Sequence, residues 1–269
     1  MNTPSVVLGA WLCGACALPS APGPRQDGAA PPTIGTNRPS FSDSASLVPA
    51  GHLQLETGYT FTKRHRAGTA TERHAAPEVL ARYRLLERLE TQVLWGGYAS
   101  QDTTSAGTTS EADGDTDLGF GLRVPIEDQH GWMPTVALGA IATVGTGDDA
   151  FSTGDHTVPT GKILWAYSLE GGFGLGGNFV LSHPFDGQER FDQFAASVYG
   201  TWTIDARTTL FGEYYVVTPY ANGTGAAHTV DGGVLFLASR TVQLDARVGF
   251  GLDDEADDFF TGFGISFLF

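Results

Sequence analysis

The sequence predicts an all-β protein: a closed, antiparallel, up-and-down transmembrane β-barrel of about twelve strands. Three observations carry this expectation. From His52 to Phe269 apolar residues recur at every second position, the period of a strand with one apolar face. Short turns alternate with longer polar loops along the chain, as in outer-membrane barrels. Gly makes up 36 of the 269 residues, about twice the usual ~7%. Helix is disfavoured at that content, because each interior Gly costs about 1 kcal/mol against Ala.

Each element follows from its residues, taken in order. Residues 1–21 run apolar from Val6 to Leu18 and hold the small-residue sites Ala15-Cys16-Ala17 and Pro19-Ser20-Ala21, which reads as a signal peptide. Its first residues lack Lys and Arg. Both cysteines, Cys13 and Cys16, fall inside it; cleaved before Leu18 or later, the chain needs no disulfide and suits an oxidising compartment, the less favoured alternative being lipoprotein processing at Cys16. Residues 22–50 form an extended lead-in, Pro-, Gly- and Ala-rich up to 33. From 33 to 50 there is no alternation, and Pro39 and Pro49 break regular pairing. This stretch is either a strap beneath the barrel or a plug inside it, with Arg38 meeting lumen carboxylates.

Residues 51–269 are the barrel. In the first strand Leu53, Leu55, Tyr59 and Phe61 share one face, against Gln54, Glu56, Gly58 and Thr60. Val79, Ala81, Tyr83 and Leu85 repeat the pattern, then Leu89, Val93 and Trp95, then Leu118, Phe120, Leu122 and Val124. Further strands fit near 132–144, 161–169, 173–182, 191–203, 208–218, 228–238, 241–252 and 259–269. Long polar loops are expected near 63–73, 99–115, 145–157, 183–190, 219–226 and 253–258.

A soluble β-sandwich accepts the same alternation. The barrel is preferred for its loop asymmetry and for the aromatic residues near the short-turn end: Tyr83, Trp132, Tyr167, Phe173, Trp202 and Phe267. They sit where an interfacial girdle belongs. Closure follows because lipid offers no hydrogen-bond partner to an open sheet edge. The expected location is the bacterial outer membrane, with outer-membrane lipid as surroundings. Phe269, in phase with the apolar face, is the expected contact for the barrel-assembly machinery.

Charge narrows the functional classes. The chain has 30 Asp and Glu against 15 Lys and Arg, for a net −15, so no nucleic-acid partner is expected. With 17 Phe, 8 Tyr and 5 Trp it is not a disordered acidic chain. Beyond the N-terminal segment no apolar run reaches the ~18 residues of a spanning helix. The six long loops hold fifteen of the acids and five of the bases, so most of the net charge lies on one rim. These loops are solvated, or they bind divalent cations at Asp253–Asp258; no calcium-loop spacing is present.

The inward face carries Glu56, Glu78, Glu90, Asp117, Glu213, Asp231 and Asp245 against Arg82, Arg84, Arg123, Lys162 and Arg247. These ions either pair across neighbouring strands as a structural ladder or line a polar path. The near balance argues against a strongly ion-selective porin.

The element Thr36-Asn37-Arg38-Pro39, then Ser42 and Ser44, then Val48-Pro49-Ala50-Gly51-His52-Leu53-Gln54 resembles the start of a family of outer-membrane transporters. The family is labelled "putative MetA-pathway of phenol degradation". Ala76-Pro77-Glu78-Val79-Leu80-Ala81-Arg82-Tyr83 fits it too, as do Leu244-Asp245 with Gly249-Phe250-Gly251-Leu252, and Asp257-Asp258-Phe259-Phe260 with Gly262 and Gly264. The resemblance runs from about residue 34 to the end. Members often close on Tyr-Arg-Phe, where this chain has Phe267-Leu268-Phe269. They commonly carry Pro-Thr-Gly where it has Val144-Gly145-Thr146-Gly147. The resemblance implies a barrel that passes aromatic or other apolar small molecules; it brings no defined site.

Other signals are weak. Gly172-x-Gly174-x-x-Gly177 matches a dinucleotide fingerprint but lies inside a strand with no helix following. The seven His residues show no paired ligand spacing, so no metal and no cofactor are expected. Ser182 and His183 are adjacent on a strand and point to opposite faces. The expected function is therefore a non-enzymatic channel passing small solutes. The alternatives are a closed structural or surface-interaction barrel and, less favoured, a membrane-embedded hydrolase. The sequence leaves the solute and the oligomeric state open.

Overall fold

The structure, a computed structural model, describes residues 32–269. The signal-peptide reading of residues 1–21 and both cysteines lie outside the described residues. The strands are β1 (Leu53–Arg66), β2 (Thr69–Leu86), β3 (Leu89–Trp95), β4 (Tyr98–Ser105), β5 (Thr108–Asp115), β6 (Leu118–Glu127) and β7 (Thr135–Val144). Then come β8 (Val158–Ser168), β9 (Phe173–Ser182), β10 (Gln193–Thr203), β11 (Thr208–Thr218), β12 (Ala227–Ser239), β13 (Val242–Gly251) and β14 (Phe259–Leu268).

All pairings are antiparallel. β1 pairs with both β14 and β2, which closes the sheet. Strands β3 and β4 are halves of one stave, as are β5 and β6, so the barrel has twelve staves. The break in the first falls at Gly96–Gly97. Gly97 has a φ of 86°, and a Cβ there would stand 2.5 Å from the Pro77 carbonyl. Only glycine fits that bend.

The outer face is apolar, as the alternation requires. Phe120, Leu122, Ile163, Phe179, Leu181, Phe250 and Phe263 are each about half exposed along it. These side chains belong in lipid. At the short-turn end Trp132, Tyr83, Phe173, Trp202 and Phe269 are exposed as well, in the position of an interfacial girdle.

Two of the expected long loops are not loops. Residues 63–73 continue β1 and β2, joined by a two-residue turn at Ala67-Gly68 with φ of 47° and 78°. Residues 99–115 form the β4–β5 hairpin around Ala106-Gly107, with φ of 50° and 80°. Positive φ at both central residues suits the twist of a tight hairpin. Both arms are polar on both faces. Above the lipid a strand needs no apolar side, so the period that marks it elsewhere disappears.

Candidate functional site

The lumen is filled by the chain's own residues 34–48, nearly all of them buried. Ile34 donates its N–H to the Arg240 carbonyl at 2.8 Å, and Ile34 and Val48 pack together on Leu268. Both ends of the segment therefore lie near the short-turn rim. Its middle rises: Phe41 stacks on Tyr215 with ring centres 4.1 Å apart, among Val180, Ala195 and Val217. Ala45 then descends against Ala137 and Leu164.

Prolines and the lack of alternation keep this segment out of the sheet, so its main-chain N–H groups need other acceptors. Inward carboxylates supply them. Glu56 accepts from Asn37 N–H at 2.9 and 2.8 Å and from Arg38 N–H at 2.7 Å. Glu213 accepts from Phe41 N–H at 2.6 Å, from Ser42 N–H at 2.9 Å and from the Ser42 hydroxyl. Glu90 accepts from Val48 N–H at 2.7 Å. Hydrogen bonds to a charged acceptor are about twice as strong as neutral ones.

The same segment pairs the buried ions. Arg38 meets Glu78 at 2.6 Å and Asp245 at 3.6 Å. Asp43 holds Lys162 at 2.7 Å and Arg123 at 3.4 Å. Arg82 bridges Glu90 at 2.9 Å and Glu56 at 3.4 Å. Two glycines seat the Arg38 guanidinium: a Cβ at Gly58 or Gly264 would stand 2.2 or 2.4 Å from its nitrogens.

Most of the sequence-selected residues meet here. Glu56, Glu78, Arg82, Glu90, Arg123, Lys162, Glu213 and Asp245 all surround the inner segment and are buried. Asp231 stands opposite Glu213 in the β11–β12 register. Arg247 lies nearer the long-loop end, with Nη2 donating to Thr60 Oγ1 at 3.2 Å and its guanidinium 5.1 Å from the Phe260 ring centre.

Two positions depart from the expectation. Asp117 sits between β5 and β6, and its carboxylate accepts from the Thr146, Gly147 and Thr153 N–H groups and the Thr153 hydroxyl. It ties down the 145–157 loop instead of lining the lumen. Arg84 turns to the Glu87 carbonyl at the β2–β3 turn. The expectation of pairing across neighbouring strands holds for Arg82, which reaches Glu56 and Glu90, and for Arg123, which stands opposite Glu90 in the β3–β6 register at 3.7 Å. Arg123 and Lys162 pair through Asp43, which the sequence reading did not select. Asn37, Phe41 and Ser42 were missed too. Asn37 and Ser42 stood in the family-like motif that begins at Thr36, but neither that motif nor the polar run between Pro39 and Pro49 says which wall residues they meet.

Ser182 and His183 do point apart. Ser182 Oγ donates to Gln193 at 3.3 Å inside, while His183 bonds Asp192 at 2.9 Å outside.

The fold is similar to an outer membrane channel from Pseudomonas putida F1, at 15% identity and TM-score 0.64, covering 84% of this chain and 98% of that one. It is also similar to the NanC porin, at 10% identity and TM-score 0.50, covering 80% and 98%. No curated protein matches the chain. The closed sheet and its apolar belt place the protein in the bacterial outer membrane. Residues 36–269 match the family described as "Putative MetA-pathway of phenol degradation", and the chain belongs to that family.

Proposed function

We propose that the protein is a non-enzymatic channel for small apolar or aromatic solutes, and that residues 33–50 are its plug. The observation that carries this reading is the bonding of the inner segment. Its N–H groups rest on three wall carboxylates, Glu56, Glu90 and Glu213, and its charges on Glu78, Lys162 and Arg123. A path runs through the barrel only when this segment shifts. Polar anchors of this kind can be exchanged for water, whereas a lumen closed by apolar wall residues has no such alternative. We further assign Phe269, stacked near Phe267, to the assembly machinery.

A closed structural barrel is the second reading, favoured by the pairing of the buried ions. Reconstitution separates the two. Deleting residues 33–48 should raise single-channel conductance and admit phenol into liposomes. Unchanged conductance from a barrel that still shows heat-modifiable migration would refute the plug. Absence of any solute uptake by the intact protein and by the deletion would favour the closed barrel.

A further inference from the structure

Four loops of the long-loop rim touch one another in a chain that runs round the mouth. His156, in the 145–157 loop, packs on Phe185 of the 183–190 loop with ring centres 3.6 Å apart. Asn222, in the 219–226 loop, donates to Asp186 at 2.7 Å and to Glu189 at 3.0 Å, both in the 183–190 loop. Gly225 lies against Glu255 of the 253–258 loop, where an added Cβ would stand 3.5 Å from the Glu255 side chain. Glu255 in turn meets Arg66 through its carboxylate and Arg64 through its carbonyl, the latter at 2.9 Å.

Two rings close the chain on the β1–β2 arm. The Tyr220 ring centre lies 4.5 Å from the Arg64 guanidinium, and that of Phe151 5.0 Å from the Arg73 guanidinium. Thr60, Thr62 and Arg64 share the inward face of β1, and Arg73 stands opposite Thr62, so the two guanidinium groups are neighbours on the lumen side. The rings reach them from opposite directions. Tyr220 is on the loop from β11 to β12, and β12 is three strands from β1; Phe151 is on the loop from β7 to β8, and β7 is three strands from β2. Strands lie ~4.8 Å apart, so each loop crosses roughly 14 Å of wall to get there. Loops standing up in water would not bury apolar side chains, yet Phe151 is 9% and Ala256 1% exposed. Charge is balanced at the contact, with Asp257 near Arg64 and Arg73 and Glu255 on Arg66. The arginines here serve the loops.

We propose that these four loops form a lid over the mouth, latched by the Arg64–Tyr220 and Arg73–Phe151 contacts, and that the lid is a second gate, in series with the inner segment and independent of it. A guanidinium on an aromatic face is a weak contact unless fully desolvated, so the lid opens often. It slows entry without sealing the barrel, and removing the inner segment alone still raises conductance. The purpose of the lid rests on the channel reading; its geometry does not.

A cysteine beneath the lid reads its opening without requiring flux. Thr62 faces the lumen below Arg64, whereas Thr108 is exposed at the tip of the β4–β5 hairpin. On intact cells, Thr62→Cys should react with a bulky membrane-impermeant maleimide at least about tenfold more slowly than Thr108→Cys. Phe151→Ala and Tyr220→Ala should each speed the reaction at position 62 about fivefold, and together by at least about tenfold. Tyr220→Phe keeps the ring and should leave the rate unchanged. Deleting residues 33–48 should leave it unchanged too, because the inner segment lies below position 62. Heat-modifiable migration confirms the fold of each variant. Equal rates at positions 62 and 108, or a rate at 62 that neither Ala variant moves, overturns the lid. A rate raised as much by the deletion as by the Ala variants overturns its independence. A protein that labels as expected but conducts nothing, even with the segment deleted and both rings removed, keeps the lid and loses the channel reading. One that conducts after the deletion but labels equally at both positions does the reverse.

Discussion

Glu213 is the clearest case of a residue whose role is set by what it touches. On a barrel wall it would face water; here it takes two main-chain N–H groups and a hydroxyl from the inner segment. Glu213→Gln keeps the shape and removes the charge. It should loosen the segment by about 1.5–3 kcal/mol, the range for a hydrogen bond to a charged group, and raise hydrogen exchange at Phe41 and Ser42. Gly264→Ala acts on the same segment by volume. The added methyl would stand 2.4 Å from Arg38 Nε and 2.7 Å from the Thr57 carbonyl. Overpacking of this kind costs about 1–3 kcal/mol, and the prediction is faster exchange at Arg38 with the barrel intact. At the mouth, burial pushes the Asp257 carboxyl up to about 6, against the opposing pull of Arg64 and Arg73; the Asp258 charge adds to the rise. Its folded-state affinity for a proton exceeds the unfolded one, so its contribution to stability is full below about pH 4 and is lost as pH rises through about 6. A spin label at Asp254→Cys should therefore become more mobile between those values, and Asp257→Asn should flatten the change.

At the scale of elements, the β4–β5 hairpin is an addition to the barrel rather than part of its closure. Below it β3 pairs directly with β6. At the rim Asp148 stands in for a neighbouring strand, bonding Asp115 through both N–H and carboxylate. Replacing residues 99–114 by a short turn should leave heat-modifiable migration unchanged, because the lower ladder stays complete. This element also shows where sequence reading stops. Strands within lipid were legible because one face must be apolar, and the residues 118–124 and 259–269 spell that out. The arms around Ala67-Gly68 and Ala106-Gly107 lie above the lipid and obey no such rule, so their composition is that of polar loops.

For the whole molecule, the asymmetry of charge sets orientation. The long-loop rim holds most of the net negative charge, and the short-turn end carries the aromatic girdle. The native cysteines occur only at positions 13 and 16, so single engineered cysteines report sidedness. Asp149→Cys should react with a membrane-impermeant maleimide on intact cells. Arg207→Cys, on a short turn, should react only after the envelope is opened. The opposite pattern would invert the assignment of the rims.

The amino-acid sequence by itself determined the barrel, its twelve staves, its lipid face and most of the wall ions turned inward. Those follow from a period of two and from the ban on open sheet edges in lipid, and both are local rules. Only the tertiary structure decided which ions meet. Arg38 reaches Glu78 and Asp245, and Asp43 reaches Lys162 and Arg123, through a segment that has no period to read. Its path depends on contacts with strands far away in sequence, and on glycines at 58 and 264 that matter only once the arginine lies against them.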